Sequence, residues 1–328
     1  MTTTRLRALL FVLAALVLPV GLAACGDDDE GGSSETTATQ AESTAITKNA
    51  ENADVELTVG SKNFTEQKVL GEIYAQALTA AGYTVKTELN LGDEKTALKA
   101  LEDGQIDGYP EYTGTALLSF FDVPADKLPT DPAEAFEQVK TDFAADNITA
   151  FPATPFTSSN EVAVTKATAD ELGLKTISDL AGKEGDLTLY GSPECRQRRD
   201  CLLGLEEVYG LDFGEFTPVD IAQRHEVLKS GDADVSIVFT TDPQNRRDGF
   251  VLLEDDKGMF PPYNSTFLVR DETVEEAGPD LEATIAKVNE NLDEEVMQEL
   301  NARVDLDKET PEQAAAGYLQ QFNLVPAG

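Results

Sequence analysis

Over the first part of the folded chain, segments in which apolar residues alternate with polar ones, as in a strand, are followed by segments in which they recur at helical spacing. Residues 55–59 alternate apolar and polar side chains, as a half-buried strand does. Within 66–80 the apolar positions recur at helical spacing, and Gly82 is placed to end that helix. A strand, a helix and a short strand follow, at 84–89, 94–102 and 106–109. This order of strands and helices predicts an α/β fold with a largely parallel sheet.

The pattern continues into a second unit of the same kind. Helices at 116–121 and 133–146 and a strand at 148–152 complete the first unit. The second unit is predicted to contain strands 161–164, 187–190 and 234–239 and helices 168–172, 201–209 and 222–229. The remaining elements are a strand at 250–253 and helices at 280–292, 293–304 and 314–322. About 270 residues of this kind are enough for one large or two moderate domains.

The N-terminal segment has the layout of an export signal. Arg5 and Arg7 precede an apolar run over 8–20, and small residues lead to Leu-Ala-Ala-Cys ending at Cys25. The apolar run is shorter than the roughly 20 residues that a membrane span needs. Leu-Ala-Ala-Cys resembles the bacterial lipobox, in which the Cys carries lipid. The alternative is an ordinary signal peptide, with the cysteine incidental.

We therefore expect residues 1–24 to be a signal peptide and Cys25 to be lipidated. Residues 25–54 are rich in Gly, Ser, Thr, Ala and acid, so we expect a flexible acidic tether. The protein would then be exported and held on the outer face of the cytoplasmic membrane, with membrane contact through the lipid anchor only.

Composition restricts the partners. With 61 acidic and 25 basic residues the formal charge is -36, which argues against nucleic acid and anionic headgroups as partners. A cationic ligand is compatible with this charge, and so is a simple solvated acidic surface.

Few residues are available for catalysis or metal binding. His225 is the one histidine, in a polar stretch that favours a surface position, and the common nucleophile and nucleotide motifs are absent. Beside Cys25, the chain has Cys195 and Cys201, an even pair in an oxidising compartment. We expect them to form a disulfide that closes a short loop, with two free thiols as the alternative. Two cysteines offer too few ligands for a metal site, and we expect no metal, no cofactor and no enzyme.

An ordered set of motifs resembles one family. The first is Gly-Ser-Lys-Asn-Phe-Thr-Glu-Gln at 60–67, and the second is Pro-Glu-Tyr-Thr-Gly-Thr at 110–115. Further pieces follow in order at 208–211, 239–242, 253–257 and 260–263. Together they look like the substrate-binding proteins of osmoprotectant ABC importers, which bind glycine betaine, choline, carnitine and similar quaternary amines. The likeness covers nearly everything after the tether.

The resemblance implies a two-lobed periplasmic-binding-protein fold of type II, with the ligand in the cleft between the lobes. It places residues 55–153 and 243–328 in the first lobe and residues 154–242 in the second. It also implies a partner, the permease of an ABC importer.

The resemblance further implies a box of aromatic side chains around the ligand. A quaternary ammonium has no N–H group to donate, so aromatic faces hold it. Tyr112 and Tyr263 match two family aromatics, Phe239 stands where relatives often have Tyr, and Asn160 stands where a fourth aromatic is expected. Each of these side chains could instead be a packing residue.

Three polar residues complete the expected site. Lys62, in the first motif, would meet the polar end of the ligand, or it could be a solvated surface residue. Asp93 and Thr96 match a polar turn of the cleft, and Asp93 could equally cap the helix that follows it.

The resulting hypothesis is capture of a quaternary amine osmoprotectant for an ABC importer. Asn160 in the aromatic box motivates the alternative of another zwitterionic ligand derived from an amino acid, such as ergothioneine or proline betaine. A secreted hydrolase is the rival from another class, supported only by a cleft-type fold and isolated acids such as Asp242.

Overall fold

The structure, a computed structural model, describes residues 45–124 and 127–326. The expected signal peptide, the lipidated Cys25 and most of the expected tether lie outside these residues. Among the described helices none combines the length and the apolar character needed to cross a bilayer.

The first sheet has five strands in the order β2-β1-β3-β10-β4. Its strands are β1 Glu56–Gly60, β2 Thr84–Glu88, β3 Gly108–Tyr112, β4 Ile148–Ala150 and β10 Ser265–Arg270. β1 is parallel to β2 and β3, whereas β10 runs antiparallel to β3 and β4. A short helix, α3 Thr113–Thr115, continues as a π-helical turn over Ala116–Phe120. The other helices of this lobe are α1 Thr65–Ala81, α2 Glu94–Glu102, α4 Pro132–Ala144, α9 Asp271–Ala277, α10 Pro279–Asn289, α11 Glu294–Asp305 and α12 Pro311–Gln321.

The second sheet repeats this arrangement, in the order β7-β6-β8-β5-β9. Its strands are β5 Asn160–Val164, β6 Thr188–Gly191, β7 Glu215–Pro218, β8 Val235–Phe239 and β9 Val251–Leu253. Its helices are α5 Lys166–Leu172, α6 Leu202–Gly204 with a π-helical turn over Leu205–Tyr209, α7 Glu226–Ser230 and α8 Pro243–Asp248. The predicted α/β class and the two units along the chain are confirmed.

Two segments connect the lobes. The chain leaves the first sheet after β4 and enters the second at β5, and it returns between β9 and β10. The two crossing segments pair at one β-bridge, between Thr157 and Asn264. The sequence placed 243–328 in the first lobe, but β9 pairs with β5 in the second sheet, so the return comes after Leu253. Local pattern identified this strand without showing which sheet would supply its hydrogen-bond partners.

The end of the expected tether is folded. Residues 50–54 form a 3-10 turn, and the side chain of Asn52 is buried. The Asn52 amide donates to the Ala81 carbonyl at 3.0 Å and to Asp280 at 3.2 Å, and the Ile46 N–H donates to the Leu324 carbonyl at 2.8 Å. The expectation of a flexible tether is therefore wrong for residues 45–54, because polar side chains there find fixed partners on the first lobe.

Helix α1 is the central helix of the first lobe. The apolar face predicted for it is fully buried, at Val69, Leu70, Ile73, Ala77 and Leu78. Gly82 ends the helix with a φ of 111°, a left-handed conformation that suits glycine. Because α1 packs against α10, α11 and α12, its N-terminus is fixed at the edge of the first lobe.

The predicted disulfide is present between Cys195 and Cys201, whose Cα atoms are 5.2 Å apart. It closes the loop after β6, beside the cleft between the lobes. Cys195 and Cys201 are both buried in the core of the second lobe.

Glu161 of β5 makes the stability of the second lobe depend on pH. Burial, with a smaller effect of Asp255, raises its pKa from 4.5 to about 7. The folded protein thus holds this proton more tightly than the unfolded chain, and the free energy of unfolding falls as pH rises from 4.5 towards 7. We expect Glu161→Gln to be more stable than the parent at about pH 8, by up to about 3 kcal/mol as this rise in pKa corresponds to, and equal to it at about pH 4.

Urea unfolding across this pH range measures the effect. Glu215→Gln, on the exposed edge strand β7 of the same sheet, is the control and should leave the pH profile unchanged. Equal shifts for the two variants would contradict the prediction.

Candidate functional site

A cleft between the two lobes brings together most of the predicted site residues. Its space is about 730 Å³, counted out to its opening. Five of the seven predicted residues line it: Lys62, Asp93, Tyr112, Asn160 and Phe239. Other lining residues include Phe64, Glu94, Thr115, Ser158, Tyr190, Ser192, Glu194 and Arg198. Thr96 and Tyr263 are not among the lining residues.

Aromatic rings from both lobes meet in the cleft. Phe64, just before α1, stacks on Tyr112 at the end of β3, with ring centroids 6.3 Å apart and an interplanar angle of 20°. Phe64 also lies 5.4 Å from Phe239, at the end of β8 in the second lobe. The three rings form a continuous apolar wall across the lobe boundary, and Tyr190 of β6 adds a fourth ring to the lining.

Lys62 lies inside the cleft, with a side chain only 5% exposed. Its ammonium forms an ion pair with Glu111 and stands 4.6 Å from the ring centroid of Tyr112 and 5.9 Å from that of Phe64. The wall of aromatic rings therefore already faces a cation. Lys62 is buried and paired, so the alternative of a solvated surface lysine is wrong.

The disulfide loop carries a second charged group into the cleft. Arg198 Nε donates to Asp200 Oδ1 at 2.8 Å, and its Nη1 lies 3.0 Å from Oε1 of Glu94. Glu94 begins α2 in the first lobe, so this ion pair joins the two lobes. Burial alone would raise the pKa of Asp200, but the charge and hydrogen bonds of Arg198 outweigh it and lower that pKa.

Asn160 is held against the same loop. Its amide donates to the carbonyl of Asp200 at 2.9 Å, which fixes the side chain at the start of β5. Only 7% of Asn160 is exposed, and no described residue donates to its remaining oxygen, which is left as an acceptor.

Phe239 is supported from behind by a charged network. The Arg224 guanidinium lies 4.7 Å from its ring centroid and is held by Asp242, with a distance of 2.7 Å from Nε to Oδ2. Burial would raise the pKa of Asp242, but Arg224 and His225 hold it well below its usual value. His225 Nε2 is 3.2 Å from both Asp242 and Asn245. The expected surface histidine is wrong, because these partners satisfy His225 in a buried position.

The other predicted residues have structural contacts. Asp93 caps α2, since its Oδ1 accepts from the N–H of Thr96 at 2.9 Å and from the Thr96 hydroxyl at 2.6 Å. Thr96 is exposed on the outer side of that turn. Tyr263 is 2% exposed, donates to Asp200 Oδ2 at 2.6 Å, and packs on Gly114, where a Cβ would lie 2.7 Å from the ring. Tyr263 thus supports Asp200 from beneath the cleft.

Sequence reasoning did not select several lining residues, among them Phe64, Glu94, Tyr190 and Arg198. Phe64 lies inside the first motif, and Arg198 lies between the two cysteines, so sequence features already pointed to the segments that contain them. Their roles depend on contacts across the lobe boundary, which a linear pattern does not display.

The arrangement is suited to holding a small charged molecule. It offers aromatic faces, two cations and several acceptors in a largely desolvated space, where electrostatic attraction is strong. Within the described residues no group of three or more His, Cys, Asp or Glu side chains could hold a metal ion.

Comparison with known proteins agrees with this geometry. The family model for the substrate-binding domain of the ABC-type glycine betaine transport system matches residues 55–321. The glycine-betaine-binding protein of Pseudomonas aeruginosa is 33% identical over 283 residues, which are 83% of this chain and 89% of that protein. The ergothioneine transport permease/ergothioneine binding protein EgtU of Helicobacter pylori is 28% identical over 82% of this chain, and the match spans 48% of its own longer chain.

Solved structures share the fold. A crystal structure described as a glycine betaine/carnitine/choline ABC transporter superposes with a TM-score of 0.66 and 26% identity, over 82% of this chain and 99% of that one. The two-lobed fold implied by the resemblance is therefore confirmed. The chain belongs to the OpuAC family, the substrate-binding domains of ABC-type glycine betaine transport systems.

Proposed function

We propose that this protein captures a quaternary amine of the glycine betaine, choline or carnitine class outside the cell and delivers it to the permease of an ABC importer. It catalyses no reaction. ATP hydrolysis would belong to other chains of the importer.

The observation that carries the proposal is the position of the Lys62 ammonium over the ring of Tyr112, beside Phe64. Aromatic faces attract a cation through their quadrupoles, most strongly where water is excluded. A ring wall built from Phe64, Tyr112 and Phe239 gives such faces from both lobes, so a bound ammonium would favour the closed form.

The charges of the cleft assign the other end of the ligand. Lys62 and Arg198 are its two cations, each with hydrogen-bonding capacity beyond its acid partners. A ligand carboxylate would be placed between them, with Thr115 of the first lobe and Asn160 of the second also lining the cleft. The carboxylate then lies next to Lys62 and the disulfide loop, and the ammonium lies at the Phe239 side of the ring wall, away from the Lys62 charge.

We expect the protein to bind at least one of glycine betaine, choline, carnitine, proline betaine and ergothioneine in isothermal titration. Phe239→Ala should weaken that binding by roughly 2- to 30-fold, because it removes one aromatic face worth about 0.5–2 kcal/mol.

The matched control is Phe322→Ala, where the ring stacks on Tyr318 at the outer end of α12. It should leave the dissociation constant unchanged. A failure to bind any of the five compounds would contradict the proposal, as would equal losses from the two substitutions.

A second candidate ligand class is a zwitterion with a polar body, such as ergothioneine. It is favoured by Asn160, which lines the cleft where the family resemblance places an aromatic side chain. Its amide is committed to Asp200, so its oxygen would accept a hydrogen bond that a simple trimethylammonium cannot donate.

Asn160→Tyr separates the two classes. It should weaken binding of a hydrogen-bonding zwitterion by about tenfold, through loss of an acceptor, and improve binding of glycine betaine, through a gained ring. Competition titration with both compounds measures the ratio of affinities. An unchanged ratio would rule out a specificity role for Asn160.

We also propose the anchor at Cys25, which rests on the Leu-Ala-Ala-Cys sequence after the apolar run. Several acyl chains on one residue hold a protein firmly, because each buried methylene adds to the affinity. The acidic stretch from residue 26 towards the folded segment at residue 45 would then separate the lobes from the membrane.

We expect metabolic labelling with a radioactive fatty acid to mark the protein in a bacterial host, and Cys25→Ser to abolish the label and release the protein from the membrane fraction. Replacing Cys195 and Cys201 together by Ser is the control and should keep the label. A label that persists in Cys25→Ser would disprove this anchor.

A further inference from the structure

Glu66 differs from the other buried acids of the described residues. Glu94, Glu111, Asp200 and Asp242 are each paired with a lysine or arginine. Glu66 is 3% exposed and has no such partner within the described part of the chain. A buried carboxylate without a cation destabilises a fold unless hydrogen bonds compensate, so its position calls for an explanation.

The hydrogen bonds of Glu66 come from two separate segments. Its Oε1 accepts from the Tyr112 hydroxyl at 2.7 Å, and its Oε2 accepts from the Asn301 amide of α11 at 2.8 Å. Burial raises the pKa of Glu66, and these two groups, together with the nearby hydroxyls of Thr241 and Ser158, act against that rise.

These segments meet where the lobes join. Ser158 lies on the first crossing segment, and Thr241 follows β8 of the second lobe. Their hydroxyls are 2.9 Å apart, and the Asn301 amide also donates to the Thr241 carbonyl at 3.2 Å. Glu66 therefore connects a ring of the cleft to α11, and through Asn301 to Thr241 of the second lobe, which in turn bonds to Ser158 of the crossing segment.

We infer that Glu66 is a positioning residue that couples the relative position of the lobes to the orientation of the Tyr112 ring. The two oxygens of the carboxylate hold the Tyr112 hydroxyl and the Asn301 amide at once, and the same amide donates to the Thr241 carbonyl. A change in the lobe junction moves Thr241 and with it the Asn301 amide, and the shared carboxylate transmits the change to the Tyr112 hydroxyl. In its effect on ligand affinity the inference rests on the proposed function.

Glu66→Gln tests the role with little change of shape. The amide turns an NH2 group towards one of the two donors, the Tyr112 hydroxyl or the Asn301 amide, so the junction loses part of its network. We expect ligand affinity, measured by titration with whichever quaternary amine the parent binds, to fall about tenfold. The melting temperature should stay the same or rise, because a desolvated charge is removed. A purely structural role predicts the opposite: a lower melting temperature with unchanged affinity.

A double-mutant cycle tests the route through the ring. Tyr112→Phe removes only the hydroxyl that donates to Glu66 and keeps the aromatic face. If Glu66 acts through this hydroxyl, the ligand affinity of the double variant should be about the same as that of the single variant that binds more weakly. If the losses of binding free energy in the two single variants add up in the double variant, the inference is overturned. Glu72→Gln, on the same helix and with its side chain hydrogen-bonded to Gln76, is the matched control and should leave the ligand affinity unchanged.

A ligand-free measurement keeps this inference separate from the proposed function. At the junction the Ser158 N–H donates to the Tyr263 carbonyl, and the Thr240 N–H donates to the Ser159 carbonyl, both at 3.0 Å. We expect Glu66→Gln and Tyr112→Phe each to speed hydrogen exchange at these amides several-fold, without adding in the double variant. If the parent protein binds no quaternary amine, the proposed function is overturned. The hydrogen-exchange rates alone then decide whether Glu66 couples the lobes to Tyr112. Unchanged exchange in both single variants would overturn the coupling itself.

Discussion

Pairing of buried charge is the constraint on which the cleft depends. Lys62 and Arg198 are both largely buried, Lys62 held by Glu111, and Arg198 by its near neighbour Asp200 and by Glu94 of the other lobe. Removing one partner of such a pair typically costs about 3–5 kcal/mol, since the remaining charge is left buried and alone. The rings can surround a ligand only while these pairs hold Lys62 beside Tyr112 and the disulfide loop against the first lobe.

The fold supplies these pairs by bringing distant segments to one boundary. Each lobe is a five-stranded sheet with helices, and only two segments join them. Side chains at the ends of β3, β8 and the segment before α1 therefore project towards the same gap. Such an architecture, in which two rigid lobes are joined through two crossing segments, is the arrangement that permits hinge motion. Glu66 lies at that junction and not on either wall.

Much of the fold could be predicted from local pattern, because the buried face of α1 and the alternation of β1 depend on neighbours in sequence. The strand β10, which lies between β3 and β4, was not predicted. It follows a proline-containing loop, and its partners β3 and β4 lie more than a hundred residues earlier in the chain. Strand pairing over such distances is decided by the whole sheet, and a short apolar run does not reveal it.

The site, like the fold, could be predicted only in part from the sequence. Motifs located Lys62, Tyr112 and Phe239, since turns at strand ends carry recognisable residues. They could not show that Tyr263 would support Asp200 instead of facing the cleft, or that Arg198 would reach Glu94 across the gap. Those outcomes depend on the distance between two lobes.

The charge of the whole chain and the charges of the cleft act over different ranges. A net charge of -36 attracts the cationic end of a solute only within about 8 Å of the surface at physiological salt, where screening sets the limit. Inside the cleft water is largely excluded, and Lys62 and Arg198 are the groups that an anionic end meets. Under the proposed function, an acidic exterior and a cleft with two paired cations are therefore compatible: the first favours approach of an ammonium, and the second fixes which way round a zwitterion is held.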